Sequence, residues 1–258
     1  VKTLTNRLKS KELRLAFAAT AKISRAALKQ FYQQFDPGLK ETTFRWMLYE
    51  LKQQNLLLAI DRGVFTLFEG PVLPEYSPLL SKNLQTLSKK IKAQFPYVGY
   101  CLWETSCLNE FLLHQTGKTL IIIEVEADAA EAVFYHLKEN RRNVYLTPTP
   151  QEFERYVYSS PDSIVIKKLV SQSPLLHQQG IPTPKLEKLI VDLFTDTEFY
   201  YPYQGKERTM LFQNVFERYR LSLKTLYRYA ERRKCRQPLE DYLQTQIFPA
   251  FVSEENAP

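Results

Sequence analysis

Three observations predict an α/β (α+β) chain in two parts, a small N-terminal domain and a larger mixed domain ending in a helical segment. The first 70 residues change period from helical to alternating, a proline-rich stretch follows, and strand and helix signals then alternate before the chain turns helical. Charge divides the same way. Residues 1–70 hold 12 Lys and Arg against 6 Asp and Glu, so +6 of the formal +7 lies there and the remainder is nearly neutral. Long-range attraction for a polyanion is therefore focused on the N-terminal part.

Leu4, Leu8, Leu13, Ala16 and Phe17 recur at helical intervals and predict a first helix, ended by Lys22–Ser24. Ser24 is a candidate N-cap for a second, carrying Ala27, Leu28, Phe31, Tyr32 and Phe35. Asp36-Pro37-Gly38 makes a turn. Lys40–Gln54 predicts a third helix with Phe44, Met47, Leu48 and Leu51 on its buried side. Beyond Asn55 the period becomes two, with Leu56, Leu58 and Ile60 before Asp61-Arg62-Gly63 and Phe65 and Leu67 after it, the pattern of a hairpin.

Three helices followed by a two-stranded wing is the order of a winged helix-turn-helix, whose third helix enters the DNA major groove N-terminus first. That expectation makes Thr42, Thr43 and Arg45 the first residues to meet bases. Trp46, Tyr49 and Lys52 reach base edges or backbone, Arg62 the minor groove or a phosphate, and Arg25 and Lys29 phosphates. The competing reading is a protein-interaction module with Trp46 or Tyr49 buried against the second domain.

Gly70–Pro78 carries three prolines in nine residues and predicts a linker, placed at 71–80. The larger domain, 81–258, opens with a basic amphipathic helix, Ser81–Phe95. Strand signals follow at Tyr97–Trp103, Thr119–Glu126, Asn143–Leu146, Tyr156–Tyr158 and Ile164–Leu169, with helices at Thr105–His114 and Asp128–Asn140. This alternation predicts a partly parallel sheet. Beyond Gly180 helices are expected at Pro184–Phe194, Tyr203–Tyr219, Ser222–Arg233 and Pro238–Phe248, and disorder only in the tail at Glu254–Pro258.

Lys224, Arg228, Arg232 and Arg233 form a second basic cluster, read either as cations complementing a helix dipole or as a phosphate or acidic-partner contact. Glu124 and Glu126 alternate with apolar residues so as to share a sheet face, and Glu104 ends the preceding strand. With a divalent ion such acids would serve nucleotidyl or phosphodiester chemistry. The Gly-Ser pair of a nucleotidyltransferase is missing before them, glutamate stands where an acid-x-Lys nuclease needs lysine, and no P-loop or dinucleotide fingerprint occurs. The expectation is therefore a non-enzyme without cofactor or metal. Cys101, Cys107 and Cys235 match no disulfide set or metal spacing and read as packing residues in a reducing, cytoplasmic setting. Arg14 interrupts the apolar run Leu13–Ala21, which reads as amphipathic helix rather than signal peptide, and no segment reaches the roughly 20 apolar residues of a membrane span.

Two stretches carry a family resemblance. Gly180-Ile-Pro-Thr-Pro-Lys-Leu-Glu-Lys-Leu-Ile-Val-Asp-Leu-Phe194 and Leu221-Ser-Leu-Lys-Thr-Leu-Tyr-Arg-Tyr-Ala-Glu-Arg-Arg233 resemble the C-terminal pattern of AbiEi-type antitoxins of bacterial abortive-infection (type IV toxin-antitoxin) systems, and Tyr97–Leu146 resembles the front of that domain. The compact Ser-Ala-Leu pattern of that family is missing near Thr105–Phe111, which marks a divergent branch. The resemblance implies a transcriptional autoregulator of a phage-defence operon. Its winged helix would bind operator inverted repeats in double-stranded DNA, while the larger domain counteracts a nucleotidyltransferase-like toxin without a stable complex. Thr42, Thr43, Arg45 and Lys52 correspond to the family's recognition helix by place in the fold. A metal-dependent enzyme using Glu104, Glu124 and Glu126, and a non-catalytic adaptor, are the alternatives.

Overall fold

A computed structural model describes residues 8–53, 56–68, 73–114 and 117–247 of the chain. Leu4, Asn55, Gly70–Val72, Phe248 and the tail at 254–258, all part of the expectations above, lie outside the described residues. The chain divides into two compact units, one running to Pro74 and including Arg220–Arg228, the other made of Glu75–Tyr219 and the chain from Tyr229 onward.

The first unit contains α1 (Ser10–Phe17), β1 (Ile23–Ser24), α2 (Arg25–Gln33), α3 (Glu41–Gln53), β2 (Leu57–Asp61) and β3 (Val64–Leu67). Ser24 caps α2, its hydroxyl accepting from the Ala27 amide at 3.1 Å. Gly38 donates its amide to the Asp36 carboxylate, which fixes the turn into α3. Leu13, Leu28, Phe31, Phe44, Leu48, Leu51, Leu57 and Phe65 fill one core, and the Tyr32 hydroxyl donates to the Leu8 carbonyl at 2.7 Å.

The sheet has three antiparallel strands in the order β1-β3-β2, one more than the sequence predicts. Two residues, Ile23 and Ser24, are too few to show an alternating pattern. Leu57, not Leu56 or Leu58, is the buried residue at the start of β2, and a register irregularity between Ala59 and Asp61 then lets Ile60 bury as well. Gly63 closes the hairpin at φ 72°, a conformation in which a Cβ is strained.

The second unit is built on a mixed four-stranded sheet, β4 (Tyr100–Glu104), β5 (Ile121–Val125), β6 (Val144–Leu146) and β7 (Ile164–Lys168), in the order β4-β5-β7-β6. β4 runs antiparallel to β5, while β5/β7 and β6/β7 are parallel. Helices α4 (Lys82–Gln94) and α5 (Ala130–Lys138) cover one face through Leu87, Ile91, Val133 and Leu137 against Leu102, Ile121, Ile123 and Ile166. Thr105–Phe111 forms a 3-10 helix rather than an α-helix.

The segment Tyr156–Tyr158, predicted as a strand, is helical. Thr149 and Glu152 form a capping box with Pro150 at the first position, starting the helix α6 (Pro150–Glu152), which continues as π-helical Phe153–Val157. Phe153 and Val157 bury against Leu120 and Val165. A hairpin absent from the sequence reading follows, β8 (Leu175–Gln178) and β9 (Ile181–Pro184), joined by Gln179 and Gly180, both at positive φ. Helices α7 (Leu186–Thr195), α8 (Lys206–Arg218), α9 (Leu223–Arg232) and α10 (Arg236–Tyr242) complete the order. Half of the expected linker is a packed part of this unit, since Tyr76 stacks edge-on against Tyr219 and lies beside Phe111, and Pro78 is buried. No described helix is long and apolar enough to cross a membrane.

Candidate nucleic-acid interface

The side of α3 opposite Phe44, Met47, Leu48 and Leu51 is open to solvent: Thr42, Thr43, Arg45, Trp46, Tyr49 and Lys52 are all exposed. Intervals of three, four and three residues place Thr42, Arg45, Tyr49 and Lys52 on one stripe, while Thr43 and Trp46 flank it together. Trp46 is 37% exposed and Tyr49 55%, so neither ring is a core residue. Burial of one face by apolar side chains leaves this polar and aromatic stripe as the surface the helix offers.

Three bases converge at the N-terminal end of α3. The Glu41 carboxylate binds the Arg25 guanidinium and the Lys29 ammonium (3.1 Å) from α2, and the Arg45 guanidinium lies 3.5 Å away one turn along α3. Hydrogen bonds from Arg25 and then Lys29 hold the Glu41 carboxyl down at about 2, so it is ionised throughout the physiological range. Arg25 is positioned independently of this pair. Its guanidinium lies 5.1 Å from the centroid of the buried Phe44 ring, and its amide donates to the Gly63 carbonyl at 2.7 Å. Arg62 is exposed at the hairpin tip and Lys52 at the far end of α3, neither in an ion pair among the described residues.

The second basic cluster divides. Lys224, Arg228 and Arg232 are exposed along α9 at four-residue spacing, and Arg232 donates to the Ser171 hydroxyl. Arg233 instead turns inward to Asp192 (3.1 Å) and Asp196 (2.5 Å) and donates to the Thr195 hydroxyl at 2.7 Å. Burial alone would lower its pKa, but the two carboxylates outweigh that and raise it. Its guanidinium is occupied within the fold.

The three glutamates do not assemble, because Glu104 and Glu124 lie on opposite faces of the sheet. Glu104 pairs with Ile121 and accepts from the Ser81 hydroxyl at 2.7 Å on the α4 side of the sheet. Glu124 points to the opposite face, where Lys188 and the Trp103 indole (3.4 Å) reach it. Glu126 lies beyond the end of β5, exposed, with its carboxylate over Gly99. Among the described residues no group of three His, Cys, Asp or Glu is placed to hold a metal ion.

Glu124 belongs to a buried charge network absent from the sequence reading. Lys188, fully buried, lies 2.7 Å from Glu124 and 2.5 Å from Asp192, and the Tyr229 hydroxyl donates to Asp192 at 2.9 Å. Burial opposes the charge on Lys188, but Asp192 and Glu124 raise its pKa well above that of a free lysine. The detectable signal is Lys188 and Asp192 four residues apart within Leu186–Leu193, where Glu187 is the only other polar residue.

No curated protein matches the chain. Among solved structures, the crystal structure of the RV2827C protein from Mycobacterium tuberculosis aligns at 15% identity, over 82% of this chain and 74% of that chain, with a TM-score of 0.23, too low to argue a shared architecture. A match that runs from Thr43 on α3 to residue 248, most of the sequence, places the chain in DUF6577, a family of unknown function.

Proposed function

We propose that the chain is a sequence-specific DNA-binding regulator whose first unit is a winged helix-turn-helix with α3 as its recognition helix. The observation that carries this reading is the exposed stripe Thr42, Arg45, Tyr49 and Lys52 on a helix otherwise anchored in the core. The +6 surplus in residues 1–70 supports it, because neutralising phosphates supplies most sequence-independent affinity. Arg25, Lys29, Lys52 and Arg62 then contact the backbone, and Thr42, Arg45 and Tyr49 read base edges.

Autoregulation of a type IV toxin-antitoxin operon, with a nucleotidyltransferase-like toxin as functional partner, extends this reading on the resemblance of 180–194 and 221–233. Neutralisation of a toxin encoded beside it, lost when the second unit is deleted, tests that extension.

Titration of random-sequence duplex at about 50 and about 200 mM salt tests DNA binding. Phosphate contacts by Arg25, Lys29, Lys52 and Arg62 give a log–log slope of up to about −3.6, a loss approaching roughly 150-fold over that range. Affinity independent of salt would refute the proposal.

A further inference from the structure

The Glu41 cluster carries an inference that rests on the DNA-binding reading. We infer that Glu41 occupies the place of a DNA backbone phosphate, held by Arg25 and Lys29 with Arg45 beside it, as an internal competitor that weakens binding to every duplex.

Three cations from two helices meet on one carboxylate at the edge of the stripe proposed to face DNA. Guanidinium and ammonium groups bind carboxylate and phosphate oxygens with the same geometry, so a site built for one accepts the other. The cluster is accessible. The Glu41 side chain is 39% exposed, Arg25 39% and Lys29 34%. Arg25 is held from beneath by Phe44 and through its backbone by Gly63, so its charge keeps its position when Glu41 swings away.

The bland alternative is a strut joining α2 to α3. Exposed ion pairs contribute little to stability. The junction already has Phe31, Tyr32, Leu28, Phe44 and Leu48 in a shared core. Three positive charges facing a single negative one also exceed what a strut requires. The arrangement suits an anion with more charge and more acceptor oxygens than one carboxylate offers.

Displacing Glu41 leaves it near the incoming phosphate, a repulsion independent of base sequence. The E41Q side chain keeps the shape and loses the charge. Binding of wild type, E41Q and Glu41→Ala to operator and random duplexes should show both variants tighter by about 5- to 20-fold on every duplex. Their salt slopes should be steeper by about 0.9, one charge's share, with an unchanged operator-to-random ratio. R25Q should cost more affinity in the E41Q background than in wild type, because only there is the guanidinium free for phosphate from the outset.

If wild type binds duplex and the folded variants bind no tighter, the inference falls while the DNA-binding reading stands. Unfolding of both variants would make Glu41 the strut and overturn it equally. If neither wild type nor the variants bind any duplex at about 50 mM salt, the DNA-binding reading itself fails and takes this inference with it.

Discussion

Lys188 on α7 donates to both carboxylate oxygens of Glu124 on β5, each at 2.7 Å, with none of the lysine side chain exposed. Such a pair is a packing commitment between helix and sheet, because either charge left alone would face a dry interior. Asp192, one turn along α7, takes the same ammonium and also accepts from Tyr229.

Replacing Lys188 with methionine strands Glu124 and leaves Asp192 with only Arg233 and Tyr229, and is expected to destabilise the protein by about 3–5 kcal/mol. Adding Glu124→Gln to that background should restore part of the loss, so the two changes together cost less than their sum. Denaturant midpoints at constant m-value measure both. Equal midpoints for wild type and Lys188→Met would show that the pair holds nothing together.

Alkaline pH should unfold the protein by a proton-linked route. Burial raises the pKa values of Cys107 to about 12 and Cys235 to about 11, and raises those of Tyr32, Tyr200 and Tyr229. Lys188 also holds its proton more tightly than a free lysine, as Asp192 and Glu124 outweigh its burial. All these groups bind protons more tightly when folded, so their stabilisation is complete below the unfolded pKa values and declines as pH rises past about 8.5 for the thiols and about 10 for the others. Thermal melts from pH 8 to 11 should fall progressively. A flat profile would contradict the burial of these groups.

Arg233 and Arg228 stand five residues apart and should respond to removal to very different extents. Arg233→Gln leaves Asp192 and Asp196 short of a partner in a half-buried cluster and should cost about 2–3 kcal/mol, below the range for a fully buried pair because the site is partly solvated. Arg228→Gln, on the exposed side of α9, should change stability by less than about 0.5 kcal/mol. Paired urea curves separate them. Similar losses would place Arg228 in an ionic network as well.

Residues that bury in a regular period were legible from the sequence. Phe44, Met47, Leu48 and Leu51 marked the inner side of α3, and the Val and Ile run at 121–125 marked the central strand. What escaped lacks a period. Tyr156–Tyr158 carries the β-favouring residues of a strand, yet the Thr149 and Glu152 capping box commits the chain to helix seven residues earlier. The β8–β9 hairpin turns on Gln179, a non-glycine residue at positive φ, beside two prolines that discourage a strand assignment. Ion pairing between elements was equally hidden. Glu41 with Arg25 spans 16 residues and Lys188 with Glu124 spans 64, separations over which sequence spacing says nothing about proximity.

The division of labour along α3 is testable at Arg45, Lys52 and Arg62. Arg45 has 74% of its side chain exposed on the stripe one turn into the helix, within reach of base edges if the N-terminal end of α3 enters the major groove. Arg45→Ala should therefore cost about 1–3 kcal/mol on the operator and much less on random duplex, relaxing preference at one position. Lys52 ends the helix and Arg62 tips the hairpin, so Lys52→Ala and Arg62→Ala should weaken all duplexes alike and each reduce the salt slope by about one. Competition binding with an operator library measures the first effect and salt titration the second. Uniform loss in all three variants would remove α3 from base reading and leave it a phosphate-gripping surface, because discrimination between bases requires at least one side chain whose loss is felt on one sequence and not on another.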